Sequence, residues 1–572
     1  MQSEMKNSQM NEVLIVGAGP VGLTLAIILQ RNNIPHKIIE KRQQRQPFSK
    51  AFAIHSRTLE VFEDLGILDK VLSKSLPVTE MNIYSNGKRL INYSFKSLDI
   101  PYQFVASIPQ GDIEKILVKE YQRLGGHVEE GVELIALAQE QQTIKTELVN
   151  TDSLINQHDY RYVLACDGSK SRVRELMNVP FDGSEYDTPY IIADGVLNWS
   201  GDLTAGHVFV SGGGYVMFFP LPNNRCRVVV DDHSGKLKPS DLTVDVINEH
   251  IVKKGINDAI FSDPSWLTVT RFSKKLIDNY RHGNVFFSGD ASHVHSPFGG
   301  QGLNTGLQDA YNLGWKISHT IKYNASPDLL ASFNNERRPV AEIVLAKTDQ
   351  QMKLLSVSNA IIKFLRDSIV PRIARTKKFQ QQVVGQASGY LVNYNDSDIV
   401  SQAAHKKQEP VLAGNRMKDV ILSGYPVFYQ QAEDKQTNKR LFDLLKGTHY
   451  SLFVVGKELF NKTVDEILPL SYHHNDFFRF FAFVEDTSTV ELTAEIKTFY
   501  HHIFTDQYGN FSHTTQLTPD SLLLVRPDGY IAFKGNDVVS LLNYIQRFYS
   551  NALSERTSTK AKQPEPSNTQ CA

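Results

Sequence analysis

The chain has little cysteine: Cys166, Cys226 and Cys571 are its three in 572 residues, and none belongs to a C-x-x-C pair. That excludes a disulfide scaffold and a cysteine-zinc site. H-E-x-x-H and clustered Cys/His ligands are absent too, so no metal is expected. Neither charge sign is in excess, since the formal net charge is −1. Global electrostatics therefore point to neither nucleic acid nor membrane as a partner. The N-terminal MQSEMKNSQMNE is polar, without the long apolar run of a secretory signal. The apolar stretch 13–29 is broken by three glycines and a proline. It reads as strand, turn and helix rather than as a span of about 20 apolar residues. The cytoplasm is the default compartment, and no internal repeat is seen.

Hydrophobic residues make up 41% and charged residues 22% of the chain, ordinary globular usage. The length suits two or three domains of roughly 100–200 residues each. The opening is Val13-Leu14-Ile15-Val16, a buried-strand run, then the turn Gly17-Ala18-Gly19-Pro20-Val21-Gly22, then the apolar helix Leu23 to Gln30. His36 to Glu40 is the next strand, followed by Lys41. The glycines allow a tight turn and close backbone approach to a pyrophosphate. The helix N-terminus offers free N–H groups to phosphates, and Glu40 can meet ribose hydroxyls. The βαβ unit predicts dinucleotide binding without choosing between FAD and NAD.

A second motif, Ala165-Cys166-Asp167-Gly168-Ser169, follows the strand Tyr162-Val163-Leu164. Asp-Gly here reads either as a site or as a plain turn. Arg172 and Arg174 downstream read either as phosphate partners or as a solvated helix face. The third motif runs Phe287-Ser288-Gly289-Asp290-Ala291-Ser292-His293, then Ser296-Pro297-Phe298-Gly299-Gly300-Gln301-Gly302-Leu303-Asn304. A strand delivers Asp290, whose carboxylate can accept from a polyol. The glycines permit approach to a flat ring, and a helix starting near Gly302 favours negative charge at its edge.

Between about Tyr190 and Val230 aromatic and β-branched residues cluster between Gly-rich and Pro-Asn turns, predicting an antiparallel sheet. Tyr215, Met217, Phe219 and Leu221, with Pro297 and Phe298, are the candidate substrate pocket. The strand residues read equally as ordinary sheet core, because alternate residues face opposite sides. Tyr215 reads as a donor to a substrate hydroxyl or as a strand aromatic. His293 and His295 read as catalytic groups or as supporting or solvent-facing ones. The stretch 352–370 predicts a packed or dimer-facing helix rather than a membrane anchor.

These three motifs in this order resemble the single-component FAD-dependent aromatic hydroxylases, the family of para-hydroxybenzoate hydroxylase and phenol hydroxylase. Supporting matches are Ser49-Lys50-Ala51 to Arg57-Thr58-Leu59-Glu60 and Pro109-Gln110-Gly111-Asp112. The resemblance spans about residues 11–350. It implies FAD as cofactor, NADPH or NADH as co-substrate, and hydroxylation of an aromatic or polycyclic, unsaturated small molecule by O2 through a flavin hydroperoxide. It implies that FAD contacts come from Gly17, Gly19, Pro20, Gly22, Glu40, Lys41, Lys50, Gln110, Asp167, Gly168, Gly289, Asp290, Pro297, Gly300, Gly302, Leu303 and Asn304. The family often has arginine where Lys50 stands, and lysine lacks the planar fork. Phe52 stands in the segment where phenol hydroxylase has its catalytic aspartate, which argues against simple phenol as substrate.

Leu524 to Phe533, and Ala413-Gly414-Asn415-Arg416, resemble the thioredoxin-like C-terminal domain of the phenol-hydroxylase subgroup. Without paired thiols its expected role is structural or in assembly. The expected class is thus α/β: a Rossmann-type FAD-binding domain, an inserted antiparallel-sheet substrate domain and a thioredoxin-like domain. The expected boundaries are 11–188 and 281–390 for the FAD domain with its helical region, 189–280 for the sheet domain, 398–550 for the third domain and 554–572 for a disordered tail. A homodimer stays open. So do a flavin halogenase, a flavin reductase and a non-catalytic flavin-binding protein. The halogenase signature W-x-W-x-I-P is missing, with Trp199, Trp266 and Trp315 far apart.

Overall fold

Three short strands, Val13–Val16, Tyr162–Ala165 and Val285–Phe287, are buried at every residue. Such uniformly apolar strands must be covered on both faces, as in a parallel sheet. In the computed structural model they join His36–Glu40, Val128–Glu130 and Arg281–His282 in one six-stranded sheet. Val13–Val16 lies between His36–Glu40 and Tyr162–Ala165, and every pair is parallel except Arg281–His282 with Val285–Phe287. This is a Rossmann-like sheet. The structure describes residues 12–45, 51–211, 214–232, 239–296, 298–355, 357, 359–402, 411–423, 426–429, 438–471, 477–484, 493, 496, 499–505, 510–515, 517 and 520–554. Residues 555–572, the rest of the expected tail, lie outside them.

A seven-stranded sheet follows the order Ile260–Thr270, Tyr190–Asn198, Arg225–Asp231, Gly214–Leu221, Gly206–Ser211, Glu80–Ser85, Lys88–Ser94. Two of its strands thus come from well ahead of the expected 189–280 insert. The Gly206–Ser211 and Glu80–Ser85 pair is parallel, so the sheet is mixed rather than purely antiparallel. Nothing local to residues 80–94 signals this partnership, because strand pairing is a long-range choice. One face packs on the helix Val244–Lys253 through Ile247, Ile251, Val216, Phe218, Val228 and Val230.

The chain divides into two units, residues 1–314 with 333–392, and 315–332 with 393–572. The second has its own mixed seven-stranded sheet, centred on Tyr450–Val455 between Phe478–Val484 (parallel) and Ser521–Val525 (antiparallel). The helices Lys457–Ser471 and Val538–Ser554 pack on it through Leu459, Phe460, Ile467, Leu541 and Ile545. Among the described residues no helix is long and apolar enough to cross a membrane. No group of three or more His, Cys, Asp or Glu among them is placed to hold a metal.

Candidate active site

The three glycine loops leave the same edge of the six-stranded sheet. Gly17 N–H donates to Ile39 O (2.9 Å), Cys166 N–H to Val16 O (2.8 Å) and Ser288 N–H to Ala165 O (3.0 Å). Gly17 has φ +99°, and a Cβ there would lie 2.5 Å from Cys166 O. Gly289 and Gly306 pack against each other across Val21, with less than a methyl group of room. Close approach of these backbones is therefore what the glycines supply.

The helix Pro20–Arg31 begins with Gly19 as its cap and has no side-chain cap bond. Its first N–H groups are left for another acceptor. A Cβ on Gly19 would meet nothing within 4 Å, so open space lies in front of that positive helix end. Glu40 is buried; its Oε2 accepts from Ala18 N–H (3.2 Å) and its Oε1 from Arg42 Nε (2.9 Å). Burial would raise the Glu40 carboxyl, but the hydrogen bonds from Arg42 and Ala18 outweigh it and hold the group below its ordinary value. Arg45 Nη1 donates to Ala18 O at 2.7 Å, and the guanidinium pairs with Glu130 through Nε (3.4 Å) and with Glu114 through Nη1 (3.7 Å). Lys41 is exposed. Lys50 lies outside the described residues.

Asp167 Oδ2 accepts from the N–H groups of Arg172 (2.7 Å) and Val173 (3.1 Å), and Oδ1 is buried without a partner. Burial pushes this carboxyl up. Gly168 has φ +82°. Arg174 is no solvated helix face: it donates to Ala291 O (3.1 Å) and Ser169 O (2.7 Å) and stacks on Phe181. Arg172 pairs with Glu175 at the surface.

In the third loop Asp290 is exposed, within a short turn Gly289–Ala291. His293 is fully buried and meets Asp309 Oδ2 at 2.8 Å, which excludes the solvent-facing reading. Asp309 also accepts from Arg337 Nε (2.7 Å) and Gly289 N–H (3.2 Å). Burial opposes charge on Asp309, yet Arg337 and His293 hold its carboxyl below the ordinary value. Asn304 is occupied by backbone: its Nδ2 donates to Ala53 O and Gly300 O, both at 2.8 Å, and its Oδ1 accepts from His55 N–H at 2.9 Å. It ties the helix Gln301–Tyr323 to the strand Ala53–Ile54. Gly300 has φ +62°, and its Cβ would lie 3.0 Å from Ala53 Cβ. Leu303 and Gly302 are half-buried. Gln110 opens the helix Gln110–Arg123, its N–H donating to Ala51 O (3.3 Å) and its Nε2 to Glu114 (2.9 Å). Pro297 lies outside the described residues, and Phe298 opens the turn Phe298–Gly300.

His55 Nε2 meets Gly299 O at 2.7 Å, and burial pushes the ring down to about 4. His295 Nδ1 meets Ser296 O at 2.8 Å, and burial with the neighbouring His293 takes it also to about 4. Both rings are neutral at pH 7. An unfolded histidine titrates near 6.5, so between pH 6.5 and 4 the unfolded chain binds protons that folded His55 refuses. Stability is then full above pH 6.5 and is lost as pH falls. Urea unfolding at pH 7 and pH 5 should show the advantage of the parent over His55→Asn shrinking by about 2 kcal/mol. An unchanged difference would refute this.

In the strand Gly214–Leu221 the odd-numbered residues share one sheet face. Phe219 and Leu221 join Phe52, Ala53, Val78 and Phe95 in one apolar cluster with Met217 beside it. Phe52 meets Phe219 edge to face at 4.8 Å. Tyr215 belongs to the neighbouring cluster, is 1% exposed, and its phenol donates to Met352 Sδ. Burial raises its phenol well above the ordinary value, so it stays protonated. Beside this wall Arg227 is clasped by Asp194 through two 2.7 Å bonds and lies over Phe52. His55, Asp309, Arg337 and the Arg227–Asp194 pair escaped sequence reading. Of these only Asp194 and Arg227 carried a local signal, a charge inside an otherwise apolar strand.

Residues 10–348 match the model of the FAD binding domain family. This chain belongs to that family. An uncharacterised aromatic-compound monooxygenase of Bacillus subtilis is 33% identical over 67% of this chain and 76% of its own length. The 6-methylpretetramide 4-monooxygenase of Streptomyces rimosus is 31% identical over 68% of this chain and 71% of its own length. Among solved structures, the anhydrotetracycline hydroxylase of Streptomyces rimosus superposes with a TM-score of 0.73 at 25% identity, covering 94% of this chain and 99% of the other. The chain is an FAD- and NAD(P)H-dependent monooxygenase of the aromatic hydroxylase type. Its uncapped helix and the open space before Gly19 fit the FAD of this monooxygenase family, whose pyrophosphate needs such donors.

Proposed function

We propose that this monooxygenase hydroxylates a fused-ring aromatic held between the glycine loop at Gly299–Gly300 and the Phe52–Phe219–Leu221 wall. The carrying observation is contiguity. Asn304 ties the loop to the strand Ala53–Ile54, and Phe52, next to Ala53, meets Phe219 at 4.8 Å. The relatives named for 6-methylpretetramide and anhydrotetracycline support a substrate of that size.

Bound FAD supplies hydride acceptance from NAD(P)H and transfer of one oxygen atom from dioxygen. In this reading the first N–H groups of Pro20–Arg31, with Gly17, Gly19, Pro20 and Gly22, hold the pyrophosphate. Glu40 and Lys41 face the adenosine end, and Lys50, outside the described residues, is assigned a cofactor contact by the family resemblance alone. Asp290 accepts from the ribityl chain near Gly289. Gly300, Gly302 and Leu303 border the ring with Pro297 and Phe298, while Gln110 touches it from the opposite side. Asp167, Gly168 and Asn304 shape these loops through backbone bonds. The N-terminus of Gln301–Tyr323 sets a positive field at the ring edge, and the neutral rings of His55 and His295 add no charge there. Met217, Phe219 and Leu221 exclude water, and Tyr215 supports them from the next cluster.

The domain boundaries 11–188, 189–280, 281–390 and 398–550 belong to this reading. So does a thioredoxin-like third domain, supported by the parallel pairing of Tyr450–Val455 with Phe478–Val484 and the helices beside them. With no C-x-x-C its role is structural. A cytoplasmic homodimer completes the reading, and sedimentation measures the dimer. The decisive assay gives FAD-loaded protein NADPH or NADH, labelled dioxygen and a panel of fused-ring phenols. A fitting substrate should accelerate NAD(P)H oxidation by at least about tenfold and take up one labelled oxygen. Uptake confined to single-ring phenols would overturn the substrate assignment.

A further inference from the structure

The helix Ala360–Ala374 is turned inside out. Its packed side carries charge: buried Arg366 bonds to Ser85 Oγ and Leu354 O, and Asp367 to Ser85 Oγ. Its outer side carries Ile361, Ile362, Phe364, Leu365, Ile369 and Ile373, each about half exposed or more, with Ile361 at 71% and Phe364 at 70%. A monomer surface normally scatters such residues singly, so a continuous row of this size marks a contact surface.

Charge decides what covers it. Residues 340–391 hold eight Lys and Arg against three Asp and Glu, whereas the whole chain carries −1. Arg372, Arg375, Lys377 and Lys378 are exposed just beyond the apolar row. Lys377 and Lys378 also open the helix Lys377–Ala387, where the helix field disfavours cations. An anionic surface removes that penalty. A second copy of this chain does not. Parallel pairing sets cations against cations, and antiparallel pairing sets them against residues 353–362, which hold Lys353 and no acid.

We propose that this face docks on an anionic phospholipid surface, the apolar row entering the headgroup boundary and the four cations meeting lipid phosphates. The helix packs on the strand Lys88–Ser94, whose Tyr93 adjoins the Phe52–Phe219 cluster, so docking brings the substrate wall close to the bilayer. The inference stands apart from the identity of the substrate.

The test is flotation of the full-length FAD-loaded protein with vesicles of phosphatidylcholine alone, and of phosphatidylcholine with phosphatidylglycerol. Binding should occur to the anionic vesicles only and weaken with salt. The Lys377→Gln/Lys378→Gln variant should lose about fivefold for each cation removed. The Phe364→Ser/Ile369→Ser variant should cease to float while keeping its FAD and its turnover of a water-soluble substrate. Three outcomes would overturn the proposal: no flotation of the parent, equal flotation of the Ser variant, or a parent dimer that this variant converts to monomer.

Discussion

Asp309→Ala should cost the fold about 3–5 kcal/mol, because it strands two buried partners at once. Arg337 and His293 are both fully buried, and each bonds a different oxygen of Asp309, at 2.7 and 2.8 Å. Removing the carboxylate takes from the buried Arg337 guanidinium its 2.7 Å ion pair, while its Nη2 keeps its bond to Thr305 O at 3.2 Å. The carboxylate also receives Gly289 N–H, so the turn that presents Asp290 loses an anchor. Urea unfolding measures the stability loss, and retained flavin absorbance measures the loop. Asp309→Asn keeps the volume and an acceptor but not the charge, and should fall between parent and Ala. An Ala variant as stable as the parent would show that the three groups do not form one network.

Gly22→Ala should lower FAD affinity by on the order of 100-fold, about 2.7 kcal/mol. A Cβ at this position would sit 2.0 Å from Gly17 O. That atom is backbone, at the turn between the first strand and its helix, so it cannot swing aside like a side chain. The helix must move, and its first N–H groups move with it. Gly19→Ala separates this steric effect from a ligand effect. At Gly19 the added methyl meets no protein atom within 4 Å. Its unfolding midpoint should stay at the parent value while FAD binding weakens, because the methyl occupies the space a pyrophosphate needs. Equilibrium dialysis against FAD, with unfolding of the apo-proteins, reads both. A Gly19→Ala protein binding FAD like the parent would place the phosphates elsewhere.

The opening βαβ unit was legible because its signals are local. An apolar strand, three glycines at fixed offsets and an acid at the next strand end all lie in residues 13–40. The odd-numbered face of Gly214–Leu221 needed one further fact: whether anything lies on that side. The cluster with Phe52 supplied it. Asn304 shows the limit. The family resemblance marked it as a site residue, but only the packed chain shows its amide spent on Ala53, Gly300 and His55.

By itself the sequence determined the strand-glycine-helix turns, the charge balance and the absence of paired thiols, all properties of neighbouring residues. Tertiary structure alone decided that strands from 80–94 complete the sheet, that Asp309 joins His293 to Arg337, and that the helix Ala360–Ala374 faces its apolar row outward. Each of these depends on which distant segments meet. A local pattern states what a residue prefers, and the free energy of long-range packing selects its partner.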